Sequence, residues 1–284
     1  MEIDAYLSKK QKRRKKRRAY FFGVAAFVVV YLIALGIFWI IFHSPLFRVD
    51  RVVVQGNVNV PSDAVVALLQ ASVLKPGDEL KHGNSWFRSF FGFKNMLIWP
   101  GALPADDLTV LPALANITIS KDYFSHTITA TVTERQASGI WCFVPKTNSA
   151  GNPSANEPCY WFDSGGFLFE KAFDTQGSSL FAIQDYSQTD PGLGKNILPD
   201  EFIPNLVSIV NVVASSGISV DTAALNDIGL EEIDITTYNG PELYFSLRFP
   251  ADEDLPVLQS LMAKSDFGKL EYIDFRVENR AYYK

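Results

Sequence analysis

Histidine is scarce in this chain. His43, His82 and His126 are all it has, and none has a companion at metal-ligand spacing. His126, in "DYFSHTIT", reads as a turn residue and not as a base. No H-E-x-x-H, G-x-S-x-G or phosphate-loop pattern occurs. The stretch "DSGGFLFE" lacks phosphate-loop spacing and reads as a hairpin turn, and the acidic pairs Asp106-Asp107 and Glu231-Glu232 suit solvated faces. The expectation is a non-enzyme with no cofactor, no metal and no small-molecule substrate. Basic charge is also scarce beyond residue 18. Of 26 Lys+Arg and 31 Asp+Glu, residues 1–18 hold nine and two, which leaves 17 basic and 29 acidic groups, net −12. An acidic bulk argues against a nucleic-acid partner. Internal repeats and long low-complexity tracts are missing too.

What is present begins with a junction. Lys9, Lys10, Lys12, Arg13, Arg14, Lys15, Lys16, Arg17 and Arg18 lead straight into Ala19–Phe42, 24 residues without a charge. A helix of that length covers roughly 36 Å, enough for a ~30 Å hydrocarbon core. Tyr20, Phe21, Phe22 and Trp39 lie near its two ends, where aromatic rings favour the headgroup region. A cleavable signal peptide has a shorter apolar core and a small-x-small site after it, which "FHSPLFRVD" does not offer. Cationic flanks stay cytoplasmic. The expectation is therefore a single-pass, type II protein of the plasma (inner) membrane, with a cytoplasmic tail at 1–18, a span at 19–42 and the rest of the chain outside the cytoplasm.

The exported part has length for two modest domains. In the first, Val49, Val52, Val53 and Val54 read as a strand, "QGN" as a turn and Pro61-Ser62 as a helix start, with Val65, Leu68 and Leu69 on one helical face. "NSWFRSFFGF" reads as a short helix, and "LPADDLTVLPAL" as another broken by Pro112. Ile117/Ile119 and Ile128/Ala130/Val132 alternate as half-buried strands do. The second domain starts near Gln136. "SGIWCFVP" and "EPCYWFDSGGFLFEKA" read as strands turning at Gly165-Gly166, and 145–158 and 187–199 as loops. Phe202, Leu206, Ile209 and Val213 form a helical stripe, and Asn239-Gly240 marks a hairpin whose Leu243, Phe245, Leu247 and Phe249 point inward. "ADEDLPVLQSLMAKS" is an acidic-first helix, followed by a last strand with Ile273, Phe275 and Val277 inward. The fold class is α+β.

The aromatic run Trp86, Phe87, Phe90, Phe91, Phe93 and Trp99 reads as core packing, with contact to a bilayer or partner as the alternative. Cys142 and Cys159 are the only cysteines and flank one loop outside the cytoplasm, so a disulfide is expected. The alternative is two buried thiols packing as small hydrophobes.

Four places together resemble the bacterial cell-division family FtsQ, also called DivIB. They are the basic tail and span, "FRVDRVVVQGNVNVPSDAVVALL", "LPALANITISKDYFSHTITATVTERQASGIW" with Glu134, Arg135 and Trp141, and "YIDFRVENRAYYK" with Asp274 and Arg276. The resemblance covers nearly the whole chain; the aromatic stretch at 84–99 and "NSAGNPSAN" depart from it. It implies a POTRA domain at 46–135 and a mainly antiparallel β domain at 136–284 with flanking helices. It implies a divisome scaffold that binds bitopic FtsB/FtsL-type partners and helps control septal peptidoglycan synthesis. A POTRA-bearing component of protein export or outer-membrane insertion is the second reading; an anchored wall hydrolase or transferase is a third, and lacks a nucleophile or metal set. Members of the family bind FtsB along the last strand by β-augmentation, which carries over to Arg276, Val277, Asn279, Ala281, Tyr282 and Tyr283.

Overall fold

The structure is a computed structural model, and it describes residues 2–74, 92–144, 158–172, 182–264 and 266–284. Helix α1 runs Glu2–His43. Its segment Tyr20–Ile40, 21 residues, is long and apolar enough to cross a membrane, and none of that segment is buried against the rest of the protein. The remainder is α+β. The described residues gather into two compact units, one of Met1–Val53, Leu69–Gly101 and Ile119–Ala130, the other of Val54–Leu68, Ala102–Thr118 and Thr131–Lys284.

Strand β1 (Arg51–Gln55), helix α2 (Ser62–Leu74), the single turn α3 (Ala105–Leu108) and strands β2 (Leu114–Asp122) and β3 (Thr127–Glu134) follow in order. The three strands form a sheet ordered β1-β3-β2. The apolar positions expected from periodicity are the buried ones: Val65 and Leu69 on α2, Ile117 on β2, Ile128 and Ala130 on β3 are all fully buried. Asn57 Nδ2 donates to Val60 O at 2.8 Å and to Ser62 Oγ at 3.2 Å, which shapes the turn into α2. Gly56 precedes it at φ +85°, and a Cβ there would stand 2.4 Å from Val132 O, so only glycine fits.

Among the described residues, the large sheet has nine strands in the order β12-β11-β10-β9-β8-β7-β4-β5-β6. These are β4 (Gly139–Phe143), β5 (Cys159–Phe162), β6 (Leu168–Lys171), β7 (Ala182–Asp185), β8 (Val220–Leu225), β9 (Glu232–Thr237), β10 (Glu242–Ser246), β11 (Tyr272–Val277) and β12 (Arg280–Tyr283). Most neighbours are antiparallel, but β4–β7, β7–β8 and β10–β11 are parallel. Helices α4 (Ile203–Ser216) and α5 (Asp254–Met262) pack their apolar residues into the core with this sheet. Leu206, Ile209 and Leu258 meet Trp141, Ile183, Phe245, Ile273 and Phe275 in one core. At about 25 cal/mol per Å², burying each such side chain contributes roughly 1.5–3 kcal/mol. Helix α4 ends at Gly217, φ +77°, the left-handed residue that closes many helices.

Three expectations from the hairpin at Asn239-Gly240 and the last segment need correction. Val277 is 46% exposed instead of inward, because the β11–β12 register shifts between Asp274 and Val277 and the alternation breaks there. The chain after Asn279 is no continuation of β11 but a returning strand, β12. Phe249 lies beyond the end of β10 and is only partly buried. The expected helix across 84–93 and loop across 145–158 fall largely outside the described residues, as do His82, Trp86, Phe87, Phe90 and Phe91. Trp99 is 2% exposed and donates from Nε1 to Phe93 O at 2.8 Å, so this end of the aromatic run is core.

Candidate functional site

The C-terminal edge of the large sheet is built by a tight return. Val277 and Arg280 pair across the turn at Glu278-Asn279, with Asn279 at φ +59°. Asparagine tolerates that left-handed conformation, so the turn has a chemical reason. Beyond it Tyr282 lies opposite Asp274 and Tyr283 opposite Ile273. Lys284 N–H donates to Tyr272 O at 3.3 Å, and Lys284 O accepts from Glu271 N–H at 2.6 Å. Lys284 thus turns both backbone groups toward β11. In an antiparallel pair this orientation alternates, so Ala281 and Tyr283 turn their N–H and C=O groups toward the open side. β12 ends the strand order, and among the described residues its outer side is a free edge. The rings of Tyr282 and Tyr283 stay about half exposed, Lys284 pairs with Glu271 at 2.8 Å, and Lys264 Nζ lies 5.2 Å from the Tyr283 ring centroid. Ala281 packs partly buried against the core.

Arg276 faces the other way from what a free anchor needs. Its Nη2 and Nε donate to Asp274 at 2.7 and 2.9 Å, and its Nη1 donates to Glu232 at 2.8 Å. The guanidinium also lies 4.8 Å from the Tyr244 ring centroid, at cation–π distance. These bonds push its pKa further up, the Asp274 bond most. The hydrogen bond from Arg276 holds the Asp274 carboxyl below the usual carboxylate range, against the effect of burial. Next to them, burial and then repulsion from Glu232 push Asp234 up, although Asn226 donates to it at 2.7 Å. Tyr244 donates to Glu242, and that bond together with burial pushes its hydroxyl to about 12. Arg276 is therefore the tie that holds β9, β10 and β11 together behind the edge strand.

Cys142 and Cys159 stand directly opposite each other on β4 and β5, disulfide-bonded, with Cα atoms 4.0 Å apart. Phe143 N–H donates to Pro158 O beside them, which leaves the cysteines a non-hydrogen-bonded pair, the closer of the two spacings. Lys9, Lys10, Lys12, Arg13, Arg14, Lys15, Lys16, Arg17 and Arg18 lie on helix α1, whose side chains over this part fall outside the described residues.

Glu134 and Arg135 have local duties. Glu134 accepts from the amides of Val58, Asn59 and Val60 at 2.7–3.0 Å. Burial pushes its carboxyl up, and the three amide bonds together outweigh that, leaving it below its ordinary value. Arg135 ion-pairs with Asp163, donates from Nε to Pro112 O at 3.0 Å, and stacks on Phe167 at 4.0 Å. Trp141 donates to Asp185, a fully buried carboxylate that also accepts from Ser187 and Gln188. His126 sits in the β2–β3 turn at φ +54°.

Among the described residues, no three His, Cys, Asp or Glu side chains are arranged to hold a metal. A shallow depression lined by Glu201, Phe202, Asn205, Glu231, Leu247 and Arg248 lies open to solvent, with charges of both signs on its rim. Among the described residues, the outer edge of β12 thus combines outward backbone groups with two half-exposed tyrosines. No family model matches the chain, and no curated protein matches it.

Proposed function

We propose that this chain is a membrane-anchored, non-enzymatic scaffold of the FtsQ/DivIB type, acting in cell division. It presents the free edge of β12, outside the cytoplasm, to an extended segment of a bitopic FtsB/FtsL-type partner. Through that contact it helps control septal peptidoglycan synthesis. The observation that carries the reading is the open edge at Ala281 and Tyr283. Main-chain bonds to a partner strand would supply affinity there, and Tyr282 and Tyr283 would supply aromatic anchors. Val277, exposed at the turn, and Asn279, which sets the turn, complete the surface. Arg276 keeps β11 in place beneath it. The β-α-β-β order with sheet order β1-β3-β2 is compatible with a POTRA unit and supports the family reading.

A proline scan of the edge tests this. Tyr283→Pro removes an outward N–H, while the bonds to β11 are made by Lys284. In the detergent-solubilised full chain it should weaken binding of FtsB-type partners about tenfold, the worth of roughly one hydrogen bond. Tyr283→Ala, which keeps the N–H, should lose less. Unchanged affinity in a Tyr283→Pro chain with native circular dichroism overturns the site. Capture of export or barrel-insertion components instead of division proteins would move the function to the second reading.

A further inference from the structure

Among the described residues, the most exposed of the large apolar side chains is Phe124, 92% exposed, at the tip of the β2–β3 hairpin. An apolar ring that open, on a turn this well made, has no role in the fold. Asp122 Oδ1 accepts from the amides of Phe124 at 2.9 Å and Ser125 at 3.2 Å, and His126 O accepts from Asp50 and Arg51 at 2.9 and 3.3 Å. The tip is thus tied directly to the segment that leaves α1.

That segment is short and ordered. Ser44 N–H still donates to Ile40 O, Ser44 Oγ accepts from Leu46 N–H, and a 3-10 turn covers Pro45–Phe47. Phe47 then meets Tyr123 edge to face, with ring centroids 6.0 Å apart. Tyr20–Ile40, at about 1.5 Å per residue, fills a ~30 Å hydrocarbon core. The residues just past it, through Phe47, then fall within about 10 Å of the core boundary. Tyr123 is in contact with Phe47, and Phe124 is its neighbour. Leu46 is 49% exposed and the Arg48 side chain 70% exposed on the same segment. Apolar rings beside arginines are the composition that headgroup layers favour.

We propose that the β2–β3 tip is a second membrane contact: Phe124 lies in the headgroup–acyl boundary of the leaflet that α1 leaves, with Tyr123 edge to face against Phe47 beside it and Arg48 at the phosphates. The occupant of this surface is lipid. The contact holds the first compact unit against the bilayer so that it does not swing about the end of the anchor. The inference rests on α1 spanning the membrane.

The test uses the full chain in phospholipid membranes, with the photoreactive p-benzoylphenylalanine placed at Phe124 or, separately, at Leu32 within α1. After irradiation, mass spectrometry should find phospholipid adducts at position 124 in an amount of the same order as at position 32. Lipid capture at Leu32 with no lipid at Phe124, or with protein alone captured there, overturns the proposal and leaves the anchor standing. Lipid captured at neither position overturns both. Phe124 is an exposed turn residue, so the substitution leaves the fold intact and every outcome is readable.

Discussion

Glu232 on β9 and Arg276 on β11 meet at 2.8 Å across the intervening strand β10, whose Tyr244 ring lies under the guanidinium. The same arginine holds the Asp274 carboxyl below its ordinary range through their hydrogen bond. Stability from a depressed carboxylate is complete above its unfolded value, about 3.9, and is lost as pH falls through the folded one. Arg276→Gln should therefore cost about 1 kcal/mol at pH 7, modest because the pair is a third exposed. That deficit should shrink below about pH 4. Urea melts of both proteins at pH 7 and pH 3 check it; a deficit independent of pH contradicts the assignment.

Asp254 titrates in the opposite sense. Burial at the start of α5, with Glu253 adding repulsion, raises its carboxyl to about 6. A raised carboxyl lets the folded state hold its proton longer, so stability is lost as pH rises from about 4 through that value. Asp254→Asn should raise the melting temperature at pH 7.5, and the gain should vanish near pH 4. Scanning calorimetry across that range measures it.

The Cys142–Cys159 bond closes a sequence separation of 17. In the chain-entropy model a loop of this size contributes about 3 kcal/mol. The paired Cys142→Ser, Cys159→Ser variant should lose roughly that much in denaturant melts. Protein purified from its native membranes should show no free thiol by mass spectrometry without reduction.

Gly56→Ala tests the turn before α2. The new Cβ meets a backbone oxygen at 2.4 Å and the residue keeps a positive φ, so about 2–4 kcal/mol should be lost. Wild-type stability in this variant would mean that the Gly56–Val132 approach is not as close as described.

Replacing the nine basic residues between Lys9 and Arg18 with Gln or Ser should misorient a sizeable share of molecules. A reporter fused after Lys284 reads the side of the membrane directly. An unchanged location of the reporter counts against charge as the determinant.

Periodic elements were legible in the sequence because each carries its own signal. Helix α2 and the alternation at Ile117/Ile119 and Ile128/Ala130/Val132 have the predicted faces buried, and so does the Asn239-Gly240 hairpin at Leu243, Phe245 and Leu247, though not at Phe249. Strands β7 and β8 were not legible. "AIQD" is four residues long, "VDTAAL" is small and polar, and the parallel pairings β4–β7 and β7–β8 leave no local trace. At the candidate edge, the backbone partner of the last residues was the missing fact. "ENR" carried a usable signal, since asparagine tolerates the left-handed turn. The intramolecular ties of Arg276 could not be read, because Glu232 is distant in sequence and reaches it only once β10 and β11 pair.

Strand β7 sets the order in which the large sheet assembles. It runs parallel to β4 on one side and β8 on the other, while β4-β5-β6 and β8-β9-β10 are antiparallel meanders. Meanders close short loops and gather early; Ile183 must find both Trp141 and Ala223 from far along the chain, and such closures come late and slowly. The strands β4-β5-β6 and β8-β9-β10 are thus two antiparallel groups joined at one four-residue seam, with β11 and β12 added through the further parallel pair β10–β11. A late-forming contact contributes little to the folding barrier and much to the unfolding one. Ile183 consequently governs how long the assembled sheet survives, more than how fast it appears.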